Sequence, residues 1–174
     1  MHSLSLVLCV VSFFLCLGCS GVLTQGTRKP LQFPDEFSFR HTDYPQALST
    51  EFVILADGTM QISEDQWRGP AIVTKRVITL EQWRAVFRSM ERLKVWDWND
   101  NYYPPPQAGI SDGYSWEMRL RMDGRSIASH GSNYGPHPRN PDKAVLGPEA
   151  RTGDQILQTA LERLWGAAES GGVE

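Results

Sequence analysis

Residues 116–129, WEMRLRMDGRSIAS, indicate the fold most clearly. Apolar and charged side chains alternate along the first half of this stretch, and a period of two with one polar side is typical of a half-buried β-strand. Asp123 and Gly124 tolerate the positive φ angles of a two-residue turn, so the sequence predicts a β-hairpin. The turn fixes three cross-strand pairs: Leu120 with Ile127, Trp116 with Gly131, and Glu117 with His130.

A second Asp-Gly pair, Asp57 and Gly58, interrupts the strand-like stretch FVILADGTMQI at residues 52–62. A two-residue turn here predicts another hairpin. It pairs Leu55 with Met60 and Val53 with Ile62, and it places these four side chains toward the core. Further strands are predicted at residues 37–41 and 72–78, the second of which is rich in β-branched residues.

Two amphipathic helices follow from the apolar spacing. Thr79 and Gln82 form a capping box at the start of the first helix. The second helix is predicted from about residue 154 to 165, with Thr152 and Gln155 as its capping pair and Gly166 as its end. The apolar positions are Leu80, Trp83, Phe87, Met90 and Leu93 in the first helix, and Ile156, Leu157, Ala160, Leu161 and Leu164 in the second.

These elements predict an α+β fold. Strands joined by tight turns pair antiparallel, so we expect an antiparallel sheet of about four to six strands with the two amphipathic helices packed on one face. Residues 37–165 are enough for a single domain of this kind. The Gly-rich residues 166–174 are expected to form a disordered tail.

The N-terminus predicts export. Residues 4–18, LSLVLCVVSFFLCLG, are apolar and uncharged, which is typical of a signal peptide spanning residues 1–18. The run is short for a membrane span of about 20 residues. The string LCLGCS resembles the lipobox of bacterial lipoproteins, and this resemblance implies that Cys19 is lipidated and becomes the new N-terminus. Cys16 occupies the usual leucine position, and Leu15 lies one residue further back.

Two alternatives to lipidation remain: ordinary secretion with cleavage nearby, and an uncleaved N-terminal anchor. All three cysteines, Cys9, Cys16 and Cys19, lie in the leader, so cleavage before Cys19 leaves a domain without disulfides. Residues 19–36 are predicted to form a flexible tether that carries the lipid.

The predicted location is the bacterial cell envelope, with the membrane as a partner through the N-terminal lipid. Ser20 stands where an Asp is associated with inner-membrane retention, which favours the outer membrane, facing the periplasm. The formal net charge of −3 argues against nucleic-acid binding.

The aromatic stretch VWDWNDNYYPPP at residues 95–106 contains the most unusual composition. Asp97, Asn99 and Asn101 have the spacing of an EF-hand loop, but Tyr102 stands where the loop needs Gly and Ala108 where it needs Glu. Three aromatic side chains are candidates to stack on sugar rings or an extended peptide, with core packing as the alternative. They are Trp98, Tyr102 and Tyr103.

The stretch SHGSNYGPHP at residues 129–138 contains His130, Ser132 and His137. A hydrolase would use Ser132 as nucleophile and a histidine as base, but the G-x-S-x-G elbow is absent and no acid is placed to orient either histidine. The HExxH zinc motif is absent too. The structural interpretation is a strand end and a Gly/Pro loop, with Asn133 capping backbone groups. No catalytic residue, metal or cofactor is predicted.

Two motifs resemble a group of uncharacterised small bacterial exported proteins. They are Asp-Gly-x-x-Trp, with Asp112 and Trp116, and Gly-Ser-Asn-Tyr-x-Pro from Gly131. The resemblance covers about residues 52–164, supports the fold and location, and implies no catalytic residue. Residues 135–152 form a long insertion relative to this pattern. We interpret Asp112, Trp116, Gly131 and Asn133 as one structural unit in which Asp112 accepts hydrogen bonds near Asn133.

The sequence therefore predicts a non-catalytic envelope module that binds a protein or a glycan. Its alternatives are an inhibitor of an envelope hydrolase, and a small hydrolase that uses His130 or His137 with Ser132 or Asp112. The candidate binding residues are Trp98, Tyr102, Tyr103, Asp112, Asn133 and Tyr134.

Overall fold

The computed structural model describes residues 32–44, 48–66, 68–105, 113–146 and 151–170. The predicted signal peptide, Cys19 and most of the predicted tether therefore lie outside the described residues. The strands are β1 (Glu36–Asp43), β2 (Leu48–Ile54), β3 (Thr59–Gln66), β4 (Gly69–Val77), β5 (Asn101–Tyr102), β6 (Tyr114–Met122), β7 (Arg125–Ser132), β8 (Tyr134–His137) and β9 (Asn140–Leu146). The helices are α1 (Leu80–Arg92) and α2 (Gly153–Ser170), with a short 3-10 turn at Val95–Asp97.

Seven strands form one mixed sheet in the order β4-β3-β2-β1-β6-β7-β5, and β8 pairs with β9 in a separate two-stranded sheet. The α+β class is thus confirmed, but the prediction of four to six antiparallel strands is wrong in detail. Strand β5 pairs parallel with β7 through only two residues, too few to produce a sequence period. Strands β8 and β9 lie in the supposed insertion, where Pro136 and Pro141 obscure the strand pattern.

One face of the large sheet carries the core. Apolar side chains from alternate positions of the strands are buried together with the apolar sides of both helices. The Phe37 and Trp83 rings, for example, lie 5.6 Å apart between β1 and α1. Intervening strand residues such as Arg40 and Arg119 point to the opposite, solvent-facing side, which we call the outer face.

The β6–β7 hairpin has the predicted register. Leu120 pairs with Ile127, Trp116 with Gly131 and Glu117 with His130. Asp123 and Gly124 have φ angles of 52° and 72°, which fit the positive φ values that a tight hairpin turn requires.

The predicted register of the β2–β3 hairpin is wrong by one residue. Met60 pairs with Ile54 and not with Leu55, because the loop is longer than two residues. Gly58 N–H donates to the Leu55 carbonyl at 3.0 Å, and Gly58 then adopts a φ of 83°, which adds a residue to the turn. The slip exchanges the two faces of β2, so Phe52 and Ile54 are buried while Leu55 is 37% exposed. Met60 and Ile62 on β3 are buried, as predicted.

The start of α1 has the predicted capping box. Thr79 Oγ1 accepts from Gln82 N–H, and Gln82 Oε1 accepts from Thr79 N–H. At α2, Thr152 N–H donates to Gln155 Oε1 at 3.1 Å. The predicted end at Gly166 is wrong, because α2 continues to Ser170 through alanines with high helix propensity. The predicted disordered tail thus begins as helix, and residues 171–174 lie outside the described residues.

Candidate functional site

The aromatic segment after α1 is largely buried. Trp98 and Tyr102 are only 5% and 1% exposed. Trp98 Nε1 donates to the Leu93 carbonyl at 3.0 Å, and the Tyr102 hydroxyl donates to the Pro141 carbonyl at 2.5 Å. These contacts fasten the segment to the end of α1 and to β9. They favour the core-packing interpretation of Trp98 and Tyr102 over a ligand platform.

Tyr103 differs from its neighbours because it follows the inward-facing Tyr102 and points to the outer face. It is 56% exposed, and its ring lies edge-on to His130 with centroids 5.4 Å apart. The backbone N–H of His130 donates to the Asp100 carbonyl at 3.0 Å. Tyr103 is therefore the member of the predicted aromatic platform that a ligand can contact.

The motif pair around the β6–β7 hairpin has a packing role. Trp116 lies across Gly131, and its Nε1 donates to the Tyr134 carbonyl at 2.9 Å. A Cβ atom at position 131 would lie 2.6 Å from that Nε1, so only glycine fits. Asn133, with a φ of 58°, accepts at Oδ1 from Tyr114 N–H at 3.0 Å.

Trp116, Gly131 and Asn133 thus fasten the chain at the end of the hairpin. Tyr134 is half-buried and contributes its carbonyl to this unit. Asp112 lies outside the described residues, so its predicted hydrogen bonds near Asn133 stay a prediction.

The outer face carries two adjoining concavities of ≈ 700 and ≈ 650 Å³, which share Arg119, Ala128 and His130. We call the second one the outer groove. Its floor includes the small residues Ser115, Ala128 and Ser132, which leave room for a flat molecule above the sheet. Larger side chains surround the floor: Arg40, Thr42, Tyr44, Tyr103, Glu117, Arg119 and His130.

The two arginines of the outer groove are held by ion pairs on the sheet surface. Arg119 donates from Nε and Nη2 to Glu117 Oε1 at 2.9 and 2.7 Å, and this pairing raises the pKa of Arg119 above its usual value. Arg40 donates to Ser49 Oγ at 3.0 Å and lies 3.6 Å from Asp65 Oδ2. Both side chains remain at least half exposed, so their remaining N–H groups face solvent as positioned donors.

The outer groove brings His130 and Ser132 to one surface. Within the described ranges, however, neither side chain donates a hydrogen bond to the other, and no carboxylate orients the His130 ring. His137 lies elsewhere and accepts at Nδ1 from Arg139 N–H at 3.2 Å. Among the described residues, His130 and Ser132 therefore do not form a hydrogen-bonded nucleophile and base. Asp112 lies outside the described residues, so the hydrolase alternative stays a prediction.

A buried polar cluster lies on the helix side of the sheet, and no motif in the sequence indicates it. It consists of His41, Tyr114, Thr152 and Asp154. The His41 and Tyr114 rings stack at 5.2 Å, while His41 Nε2 lies 3.0 Å from Asp43 Oδ1. Among the described residues, five buried atoms of this cluster lack a regular hydrogen-bond partner: His41 Nδ1, Tyr114 OH, Thr152 Oγ1 and both Asp154 carboxylate oxygens.

Burial dominates the electrostatics of this cluster. Asp154 is 0% exposed, and desolvation raises the pKa of its carboxyl to about 6, although the nearby Thr152 hydroxyl and His41 lower it. Desolvation and the neighbouring Asp154 also raise the pKa of Tyr114. The cluster can hold a proton near neutral pH, but it is enclosed, which favours a role in stability over direct contact with a ligand.

The described residues contain neither a grouped metal site nor a membrane-spanning helix. In the described ranges, no three His, Cys, Asp or Glu residues are grouped to hold a metal ion. No helix among the described residues has the length and apolar character to cross a membrane.

No protein-family model matches the sequence, and no curated protein matches it significantly.

Proposed function

We propose that this chain is an exported lipoprotein of the bacterial envelope and that its domain is a non-catalytic module that binds a glycan in the outer groove. Its anchor is a lipid on Cys19, in the outer membrane facing the periplasm. The observation that carries the proposal is the asymmetry of the sheet: both helices cover one face, while the other face holds an open polar groove of ≈ 650 Å³.

The side chains of the outer groove suit a sugar. The Tyr103 ring is exposed and offers an apolar face to the C–H groups of a pyranose. Ser132 and His130 provide hydroxyl and imidazole groups at the same surface, and both can donate or accept. Arg119 adds guanidinium donors, which suit hydroxyl and carboxylate oxygens. A concave site with one aromatic surface and a few polar groups is the usual form of a small-ligand site.

The binding test uses the full-length protein in detergent micelles with purified cell-wall glycan. We expect the wild-type protein to sediment with the insoluble glycan, and Tyr103→Ala and Arg119→Ala each to weaken the apparent Kd at least about tenfold. Arg88→Ala is the matched control for Arg119, because Arg88 is also an exposed arginine paired with a glutamate, at 3.5 Å, but lies on α1. Equal sedimentation of the wild type and both groove variants contradicts the proposed site.

The same preparation distinguishes a glycan-binding protein from an inhibitor of an envelope hydrolase. If the protein slows a lysozyme at stoichiometric amounts and does not sediment with the glycan, the ligand is the hydrolase and the glycan proposal fails. The Tyr103→Ala protein then shows whether the inhibitor uses the same groove.

The anchor is tested separately by intact mass spectrometry of protein from bacterial membranes. A diacylglycerol-modified Cys19 at the N-terminus is expected. A mass that begins at another residue and carries no lipid contradicts the anchor, whatever the outcome of the glycan experiment.

A further inference from the structure

Strand β4 ends the large sheet and pairs on one side only, with β3, among the strands that the structure describes. Ile72, Val73 and Val77 on this strand are 52%, 53% and 78% exposed. Long edge strands with exposed branched apolar residues are pairing sites for another strand. Strand β4 has nine residues, of which Ile72 to Val77 pair with β3 in a continuous register.

One hydrogen bond identifies which backbone groups of β4 face away from β3. Ile78 N–H donates to the Gly58 carbonyl at 2.9 Å, and the register from Ile72 to Val77 is continuous. Because backbone groups alternate along an antiparallel strand, Ile72, Thr74 and Arg76 bond to β3. The register shifts by one residue between Glu64 and Gln66, opposite Pro70 and Ala71, so the alternation applies from Ile72 to Val77. In this range, the N–H and C=O groups that face outward belong to Val73, Lys75 and Val77.

We infer that β4 pairs antiparallel with β4 of a second copy of this chain, about a two-fold axis at Val73. This register joins the outward-facing groups of Val73 across the axis. It places residues 69–71 of each copy, where the register with β3 shifts, against residues 75–77 of the other. It places Val73 against Val73, Ala71 against Lys75, and Ile72 against Thr74. The apolar centre buries the exposed valine, and no cation lies opposite another cation.

The position of Lys75 selects this register over its neighbour. Moving the axis to Thr74 also joins outward-facing groups, but it brings the two Lys75 side chains to diagonal positions about 7–8 Å or less apart. With the axis at Val73 the lysines are four residues apart along the ladder. Arg76 is held on the helix side, where it donates to the Trp165 carbonyl at 2.9 Å and stacks on the indole at 3.9 Å.

Cysteine cross-linking tests the register in the full-length chain with Cys9, Cys16 and Cys19 changed to serine. A hydrogen-bonded antiparallel pair has Cα atoms about 5.5 Å apart, within the range that a disulfide spans. Val73→Cys is therefore expected to form a disulfide-linked dimer under mild oxidation. Thr74→Cys is not, because Thr74 lies opposite Ile72 of the other copy and only diagonal to the other Thr74. No cross-link at Val73→Cys, or equal cross-linking at both positions, overturns the inference.

Sedimentation equilibrium in density-matched detergent tests the association without a disulfide. We expect a concentration-dependent dimer for the wild type and at least about a tenfold weaker dimer for Val73→Glu, because the axis brings the two glutamates face to face. Gln61→Glu is the control, since Gln61 lies one strand inward, opposite Lys75. A wild-type monomer at all concentrations, or a dimer unaffected by Val73→Glu, overturns the inference.

Discussion

Asp154→Asn removes a buried carboxylate whose charged form the fold disfavours. Burial raises the pKa of this group from 3.8 to about 6, which corresponds to about 3 kcal/mol at about 1.4 kcal/mol per pKa unit. Asn has nearly the same shape and carries no charge. We therefore expect Asp154→Asn to increase the free energy of unfolding by up to about 3 kcal/mol above pH 7 and to change it little near pH 4.

The sign of this pH dependence follows from the number of protons bound by the folded and the unfolded protein. Between pH 4 and pH 6 the folded protein keeps the Asp154 proton while the unfolded chain has lost it, so unfolding releases a proton. The contribution of Asp154 to wild-type stability therefore decreases as pH rises through this window and stays low above it. The Asp154→Asn protein lacks this contribution, so the stability difference between the two proteins grows with pH.

Urea denaturation of both proteins at pH 4, 5, 6 and 7.5 measures the difference directly. Asp57→Asn provides a control of opposite sign, because hydrogen bonds from Thr59 lower the pKa of this exposed carboxyl. That variant should be less stable than the wild type by a nearly constant amount at every pH above about 4, and the difference should shrink only as pH falls below about 4. A stability difference for Asp154→Asn that is independent of pH, or a loss of stability at pH 7.5, refutes the raised pKa of the buried Asp154 carboxyl.

Three further substitutions test local packing by urea denaturation. Gly131→Ala should cost about 1–3 kcal/mol through overpacking, since its Cβ would lie 2.4 Å from the Tyr134 carbonyl, whereas Gly69→Ala should be tolerated; equal effects contradict the close approach. Trp116→Phe keeps an aromatic ring and removes the donor to Tyr134, with an expected loss of about 1–2 kcal/mol; an unchanged free energy of unfolding argues against that bond. Thr79→Ala should cost about 1 kcal/mol, and a neutral result means that solvent replaces the cap.

The two Asp-Gly hairpins show how far local sequence determines register. At Asp123-Gly124 the preceding strand alternates strictly between apolar and charged residues. The alternation identifies the core-facing side, and a two-residue turn predicts the same side. At Asp57-Gly58 the preceding residues are continuously apolar, and no face is distinguished. The longer loop at Gly58 then decides which side is buried, and a dipeptide does not contain that information.

The candidate site depended even more on distant contacts. Tyr102 and Tyr103 are adjacent and of the same type, yet pairing of β5 with β7 buries the first and exposes the second. An Asp near a helix N-terminus is ordinarily a solvated residue. Asp154 is buried because Gly135 lies against its carboxylate and because its cluster partner His41 comes from the far end of the chain. No periodicity in the sequence brings these residues together.

The central place of β1 has a mechanical consequence. It is the first strand that the structure describes, yet it lies between β2 and β6 and forms a ladder with each. A pulling force applied at the N-terminal side of the domain acts on this doubly bonded strand and must shear two ladders together. An edge strand such as β4 would instead peel away one bond at a time. The rate of unfolding under load should therefore be lower for pulling from the N-terminus than for pulling on β4.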